Sequence, residues 1–367
     1  MIDLAAKEQM AAEALSETAL ADRSRPRHPQ ATFKRRLLHA VQAGIGRTAL
    51  PAWYSRTRPL GTAAILCYHS VAQPSEAAWI EPENHLAPEQ FERQLAFLAR
   101  HRRVLALDEV VSAVEQGVAL PAGAVVITFD DAYRDTLTVA APLLARYGLP
   151  ATLFLVTGWI DRQEAPEADQ VHAALMHRTR DELVWGGERF NLCRAVARRA
   201  AFESVMKPLV TADRRGRARM LQEVRAQLAP AGAAPRLLLT WDEIRRLRTE
   251  FPGITLGVHT GNHLDLTAHP RPAVLAECQV CVCDFARELG DRPQFFAYPY
   301  NRCNETARAV VHSVGLRAAV TGRQRPAGHL ADRFALPRFD VVRSWGRFRF
   351  ITSGAYPALS ELLLGRA

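Results

Sequence analysis

No apolar run in this chain is long enough to cross a bilayer as a helix, so no membrane span is read in it. The first residues, Met1 to Ala21, carry Lys7, Glu8, Glu13 and Glu17 around no hydrophobic centre, which argues against a secretory leader there and for a cytoplasmic protein. In that compartment the six cysteines, at 67, 193, 278, 281, 283 and 303, are expected to be reduced. Lysine stands only at 7, 34 and 207, but genome bias can set the choice of arginine, so it carries little weight. Acidic residues are missing from Arg23 to Leu60, where nine Lys/Arg stand, and that excess equals the whole net charge of +9. No nucleic-acid-binding motif accompanies it, so no nucleic-acid partner is expected.

At 367 residues the chain can bury a full core, as one α/β domain or one domain with appendages. Residues 1–60 read as a basic appendage. Phe33 to Val41 can form a basic amphipathic helix, and the stretch 33–50 has two readings: peripheral contact with an anionic membrane, or a helix packed on the main domain with its Arg face solvated. The second is the plainer.

From Thr62 strands and helices alternate. Thr62–Tyr68, Val104–Leu107, Val125–Phe129, Ala151–Val156, Ile254–Val258, Gln294–Tyr298 and Leu336–Val341 read as strands. Between them lie helices over Pro88–Arg102, one capped by Asp108, Arg134–Tyr147 closed by Gly148, one capped by Thr240, Pro272–Leu289, and one starting at Asn304. This pattern indicates a parallel sheet or barrel. Alternation is lost over 158–239, which reads as a mostly helical insertion on a loop. Residues 356–367 form a C-terminal tail.

The run Val125-Val126-Ile127-Thr128-Phe129 ends in Asp130-Asp131. Two adjacent carboxylates at the end of a buried strand need a cation, because an unpaired buried carboxylate costs several kcal/mol or changes protonation. His259 and His263 follow another strand, Tyr298-Pro299-Tyr300 a third, and His69 the first. In a parallel barrel these strand ends share one face. Two imidazoles and one carboxylate make a good zinc ligand set with a position left open for water, and the second Asp could then act as general base. Each part has a plainer reading: an Asp pair is common in turns, a His-x-x-x-His pair on surfaces, and a lone His in a core. Cys278, Cys281 and Cys283 do not share one helix face and read as packing rather than a second metal site.

Thr-Phe-Asp-Asp (128–131), His-Thr-Gly-Asn-His (259–263) and Phe-Ala-Tyr-Pro-Tyr (296–300), with Leu-Cys-Tyr-His-Ser-Val (66–71) before and Leu-Pro-Arg (336–338) after, resemble the motifs of the polysaccharide deacetylases, the NodB-like carbohydrate esterases of family 4. The resemblance covers about Thr62 to Val342, with the barrel expected over 61–355. It implies a distorted (β/α) barrel of about seven strands and metal-dependent removal of acetyl groups from an N-acetylated carbohydrate. It also implies Asp130 as base, Asp131, His259 and His263 as ligands of zinc or another divalent metal, and the Tyr300 backbone N–H as oxyanion donor.

The departures point to the poly-N-acetylglucosamine deacetylase branch. Ala297 stands where many members have Arg, and no late Leu-x-His motif is found. In that branch an early Tyr-His supplies the acid, which implies His69, and Arg338 is the candidate to orient Asp130. Asn301 stands where Gly is usual, and Asn is the least costly replacement if the position needs φ > 0. Two alternatives remain open on these residues: hydrolysis of a small non-sugar amide, and a non-catalytic carbohydrate-binding barrel.

Overall fold

A computed structural model describes residues 39–51, 53, 61–162, 164–322, 327–328, 331–341, 343–354 and 356. Most of the basic appendage, including 33–38, and most of the tail lie outside them.

The parallel strands form a closed ring. β1 (Thr62–Tyr68) pairs with β3 (Ala124–Phe129), then β4 (Ala151–Leu155), β7 (Ile254–Val258), β8 (Phe295–Ala297), β9 (Ala318–Thr321) and β11 (Leu336–Asp340), which returns to β1. Among the described residues the sheet has nine strands; β2 (Arg103–Val104) and β10 (Ala327–Gly328) add to its edges, leaving seven in the ring. β2 and β4 share one edge of β3, with β2 pairing at Ala124–Val125 and β4 at Thr128–Phe129. This splayed edge distorts the barrel.

Side-chain alternation sorts the core into two layers. Ala63, Ile65, Val126, Phe154, Phe295, Val320 and Leu336 point inward and plug the lumen. Leu66, Tyr68, Ile127, Phe129, Val258 and Phe296 point outward and pack under the helices. Burying each such Val, Leu or Ile is worth roughly 1.5–3 kcal/mol. Towards the carboxyl ends of the strands the inward positions turn polar, at Thr128 and Arg338.

Several local expectations change. The helix over Leu107–Gln116 starts two residues before Asp108 could cap it; Ala106 is the N-cap, and Glu109 accepts from its N–H at 2.7 Å. Asp108 pairs with Arg317 instead. The expected strand over 104–107 shortens to Arg103–Val104, because Leu107 already begins that helix. The stretch expected as one helix from Arg134 opens with a π-turn over Thr136–Ala140 before the α-helix Ala141–Arg146. β9 and the helix Trp345–Ile351 were not anticipated.

Within 158–239 a hairpin of β5 (Glu182–Trp185) and β6 (Glu188–Asn191) joins the helices Glu167–Met176, Ala195–Thr211 and Arg214–Leu228 around a separate apolar cluster. Its Gly186-Gly187 turn has φ of 60° and 81°, the left-handed pair that a two-residue hairpin needs. That Gly-Gly between apolar alternations was a legible signal.

Residues 39–46 are helical and lie against the helix Trp345–Ile351. A Cβ added at Gly46 would meet the Gly346 carbonyl at 1.8 Å, so only glycine allows that approach. Val41, Leu50 and Trp53 remain exposed.

Candidate active site

Five strands deliver the site. β3 stops at Phe129, ahead of Asp130-Asp131; β7 stops at Val258, ahead of His259; β8 stops at Ala297, ahead of Tyr298-Pro299-Tyr300. β1 stops at Tyr68, ahead of His69, and β11 carries Arg338 in its middle. Parallel strands in a ring put all these ends on one rim.

Asp131, His259 and His263 converge. Asp131 Oδ1 lies 3.6 Å from His259 Nε2 and 3.5 Å from His263 Nε2. His259 Nδ1 lies 2.7 Å from the Ala297 carbonyl. A carbonyl only accepts, so Nδ1 carries the proton and Nε2 presents its lone pair to Asp131. Asp131 Oδ1 and His263 Nδ1 have no hydrogen-bond partner among the described residues. Burial, with Asp130 second, raises the Asp131 carboxyl well above its usual range. Burial also pushes His259 down to about 4 and His263 well below its ordinary value. Neutral imidazoles facing a carboxylate oxygen that no donor satisfies fit a divalent cation, zinc foremost.

Asp130 is held differently. Arg338 Nη1 donates to its Oδ1 at 2.8 Å and Nη2 to its Oδ2 at 2.7 Å, a bidentate pair with both partners buried. Burial alone would raise this carboxyl. The Arg338 guanidinium outweighs it, with His259 helping, and holds Asp130 far below the usual carboxylate range. Arg338 also reaches Thr128 Oγ1 at 3.1 Å and Asn301 Oδ1 at 3.2 Å. Its guanidinium lies 5.6 Å from the Phe154 ring inside the lumen, where Ala297 contributes only a methyl.

His69, Cys67 and Asp130 offer a ring nitrogen, a sulfur and a carboxylate oxygen within 4.8 Å of one another. Burial lowers the His69 pKa and Asp130 opposes the shift. The Tyr300 ring stands edge-on to His263, centroids 4.6 Å apart. Tyr68, the other half of the early Tyr-His, turns away and donates to Gln94 at 2.7 Å.

The backbone around the site is strained. Of eight non-glycine residues with positive φ among the described residues, six lie here: Asp131, Ala132, Thr260, His263, Tyr300 and Asn301. Each costs about 1–3 kcal/mol and persists only where its surroundings over-determine it. Asn301, at φ 57°, has the conformation anticipated for a glycine replacement, and its side chain bridges Arg338 and Asp340.

Sequence reasoning missed four contributors. Cys67 points its thiol at Asp130 Oδ2 from 3.4 Å, and Thr128 supports Arg338. Glu277 binds the Asn262 N–H and side chain. Arg217, deep in the insertion, reaches the Asn262 and His263 carbonyls. Strand alternation places Cys67 and Thr128 inward, so those two were findable; no local signal marks Glu277 or Arg217. Of the three clustered cysteines, Cys278 and Cys281 are buried as expected and Cys283 is exposed.

A family model described as polysaccharide deacetylase matches residues 117–319, more than half of the chain, and the protein belongs to that family. YxkH of Bacillus subtilis (strain 168), whose name places it in the same family, is 26% identical over 150 residues, covering 41% of this chain and 51% of that protein. The chain thus spans about half the length of that curated relative. The Streptococcus pyogenes deacetylase PplD, solved in complex with acetate, superposes with a TM-score of 0.51 at 20% identity, over 77% of this chain and 93% of its own. IcaB from Ammonifex degensii does so with a TM-score of 0.51 at 17% identity, over 80% and 97%. These two likenesses establish the fold. The family match takes in Asp130, Asp131, His259, His263 and Tyr300; outside it lie His69, just after β1, and Arg338, on β11, and those two strands pair to close the ring.

Proposed function

We propose that this protein is a divalent-metal-dependent, cytoplasmic carbohydrate N-deacetylase of the poly-N-acetylglucosamine type. Its substrate would be an N-acetylated sugar in a polysaccharide or lipid-linked precursor, and its products acetate and a free amine. The observation that carries this reading is the meeting of Asp131, His259 and His263 beside an ionised Asp130. Asp131 and the two imidazoles would hold the metal, zinc by donor chemistry. When bound, the ion makes water more acidic and polarises the acetyl carbonyl.

The chain's own groups supply the rest. Asp130, kept ionised by Arg338, is a weak base that accepts a proton only from an acidified water. Arg338 and the Cys67 thiol fix the orientation of that carboxylate. The Tyr300 N–H donates to the developing oxyanion, and the left-handed turn at Tyr300 fixes its direction. His69, across from Asp130, gives a proton to the departing amine. Residues 39–46 pack on the main domain, and the exposed Val41, Leu50 and Trp53 of the basic segment leave peripheral contact with an anionic membrane as a second reading, under which the substrate would be lipid-linked.

The test is metal content of the protein and of His259→Ala, by elemental mass spectrometry, followed by acetate release from chito-oligosaccharides against small amides. About one zinc per chain, lost in the variant, with release from the sugars, supports the reading. A protein that takes up no metal, or cleaves only small amides, overturns it.

A further inference from the structure

The segment bearing both histidines is held from outside the barrel. Thr260 and His263 sit at φ of 70° and 54°, a conformation that neither side chain favours, so something must impose it. Four consecutive carbonyls of this loop are each taken by a donor, two from the segment that follows β4 and two from the insertion. Thr157 N–H donates to the Thr260 carbonyl at 3.2 Å and Gly158 N–H to the Gly261 carbonyl at 2.8 Å. Arg217 Nη1 reaches the Asn262 carbonyl at 3.1 Å and the His263 carbonyl at 3.0 Å. The approach at Gly158 is so close that an added Cβ would meet the Gly261 oxygen at 2.3 Å.

Arg217 is itself immobilised. Its Nε donates to the Ala212 carbonyl at 3.1 Å, its Nη2 to the Val210 carbonyl at 3.1 Å, and Glu167 lies 3.4 Å from Nη1. Only 2% of the residue is exposed. One planar guanidinium thus ties two helices of the insertion to the histidine loop, which a flexible ammonium could not do with the same geometry. On the loop's far side Glu277 takes the Asn262 N–H, so residue 262 is gripped from both faces.

We propose that the insertion acts on the metal centre through Arg217, a positioning residue that holds the His259–His263 loop in its ligand-presenting form. The insertion is then part of the site's scaffold rather than a peripheral decoration. The metal arm of this inference rests on the proposed function; the loop arm does not.

The test compares the parent protein with Arg217→Met, Arg217→Lys and Leu209→Ala. Leu209 is buried in the insertion's own apolar cluster and belongs to no part of the site. Hydrogen exchange is measured on metal-free protein, and zinc affinity by competition with a chelator. Arg217→Met should speed exchange across residues 259–264 by about tenfold or more, since charged hydrogen bonds are lost there. It should weaken zinc binding by about 10- to 100-fold. Arg217→Lys should fall between, and it retains volume and charge should the Met variant not fold. Leu209→Ala should leave both readouts at parental values despite lower thermal stability. Unchanged loop exchange in the folded Arg217 variants, or an equal change in Leu209→Ala, overturns the proposal. A parent that binds no zinc refutes the metal reading alone, while the loop-exchange arm still decides whether Arg217 positions the loop.

Discussion

Arg338 and Arg217 are both buried guanidiniums next to the same site, and they are stabilised in opposite ways. Arg338 stands in the barrel lumen and meets a carboxylate head-on, with two hydrogen bonds to Asp130. Arg217 stands in the insertion and meets mostly carbonyls, with Glu167 at the edge of reach. The first fixes the charge of a buried carboxylate; the second fixes the course of a backbone. A buried positive charge can therefore serve chemistry or architecture, and its acceptors tell which.

Removing the counter-charge of Arg338 should have the largest effect. Asp130→Asn is expected to lower acetate release by about a hundredfold to ten-thousandfold, with zinc content near the parental value. Full turnover in that variant would refute Asp130 as the base. Next comes Arg338→Met, which leaves Asp130 buried without its counter-charge and should reduce unfolding free energy by about 3–5 kcal/mol in urea titrations. Arg217→Met should cost less, about 1–3 kcal/mol, because the carbonyls left behind are uncharged and Glu167, already raised by burial, can take up a proton. Equal losses at the two arginines would erase the distinction between them.

The smallest effect concerns a half-buried counterpart near the surface. Glu243 accepts from Arg236 and Arg134 at the protein surface, and first Arg236, despite partial burial, then Arg134 pulls its pKa down to about 2 from 4.5. A folded pKa below the unfolded one stabilises above pH 4.5 and is lost as pH falls towards 2. Glu243→Gln should flatten the stability profile in that acid window and leave it unchanged in slope near neutrality. A parental slope retained in the variant would show that the pair adds nothing, as exposed pairs often do.

Much of the barrel was legible because its strands are short apolar runs that end in abrupt polarity. β3 is the clearest, and the two aspartates behind it located the rim before any coordinates. β9 was not legible, since Ala318-Ala319-Val320-Thr321 is only four residues long and half alanine, which has little strand preference. The cap at Asp108 failed because Glu109 can reach back to a backbone N–H from inside the helix, which frees the cap position for any residue. The hairpin at Gly186-Gly187 was legible in principle and was obscured by the helical patterns flanking it.

By itself the sequence determined which residues meet at the candidate site: Asp130, Asp131, His259, His263 and Tyr300 all lie behind apolar strands, and that order brings them to one rim of a parallel barrel. The family resemblance marked Asn301 as a position where Gly is usual, and the structure supplies the positive φ that makes Asn a low-cost replacement there. Only the tertiary structure decided what holds those residues in place. Arg338 meets Asp130 across 208 positions of chain, and Arg217 meets the histidine loop across 45 and 46. Spacing in sequence carries no record of such contacts, since ring closure and the packing of the insertion bring the partners together, and burial then makes each hydrogen bond costly to lose.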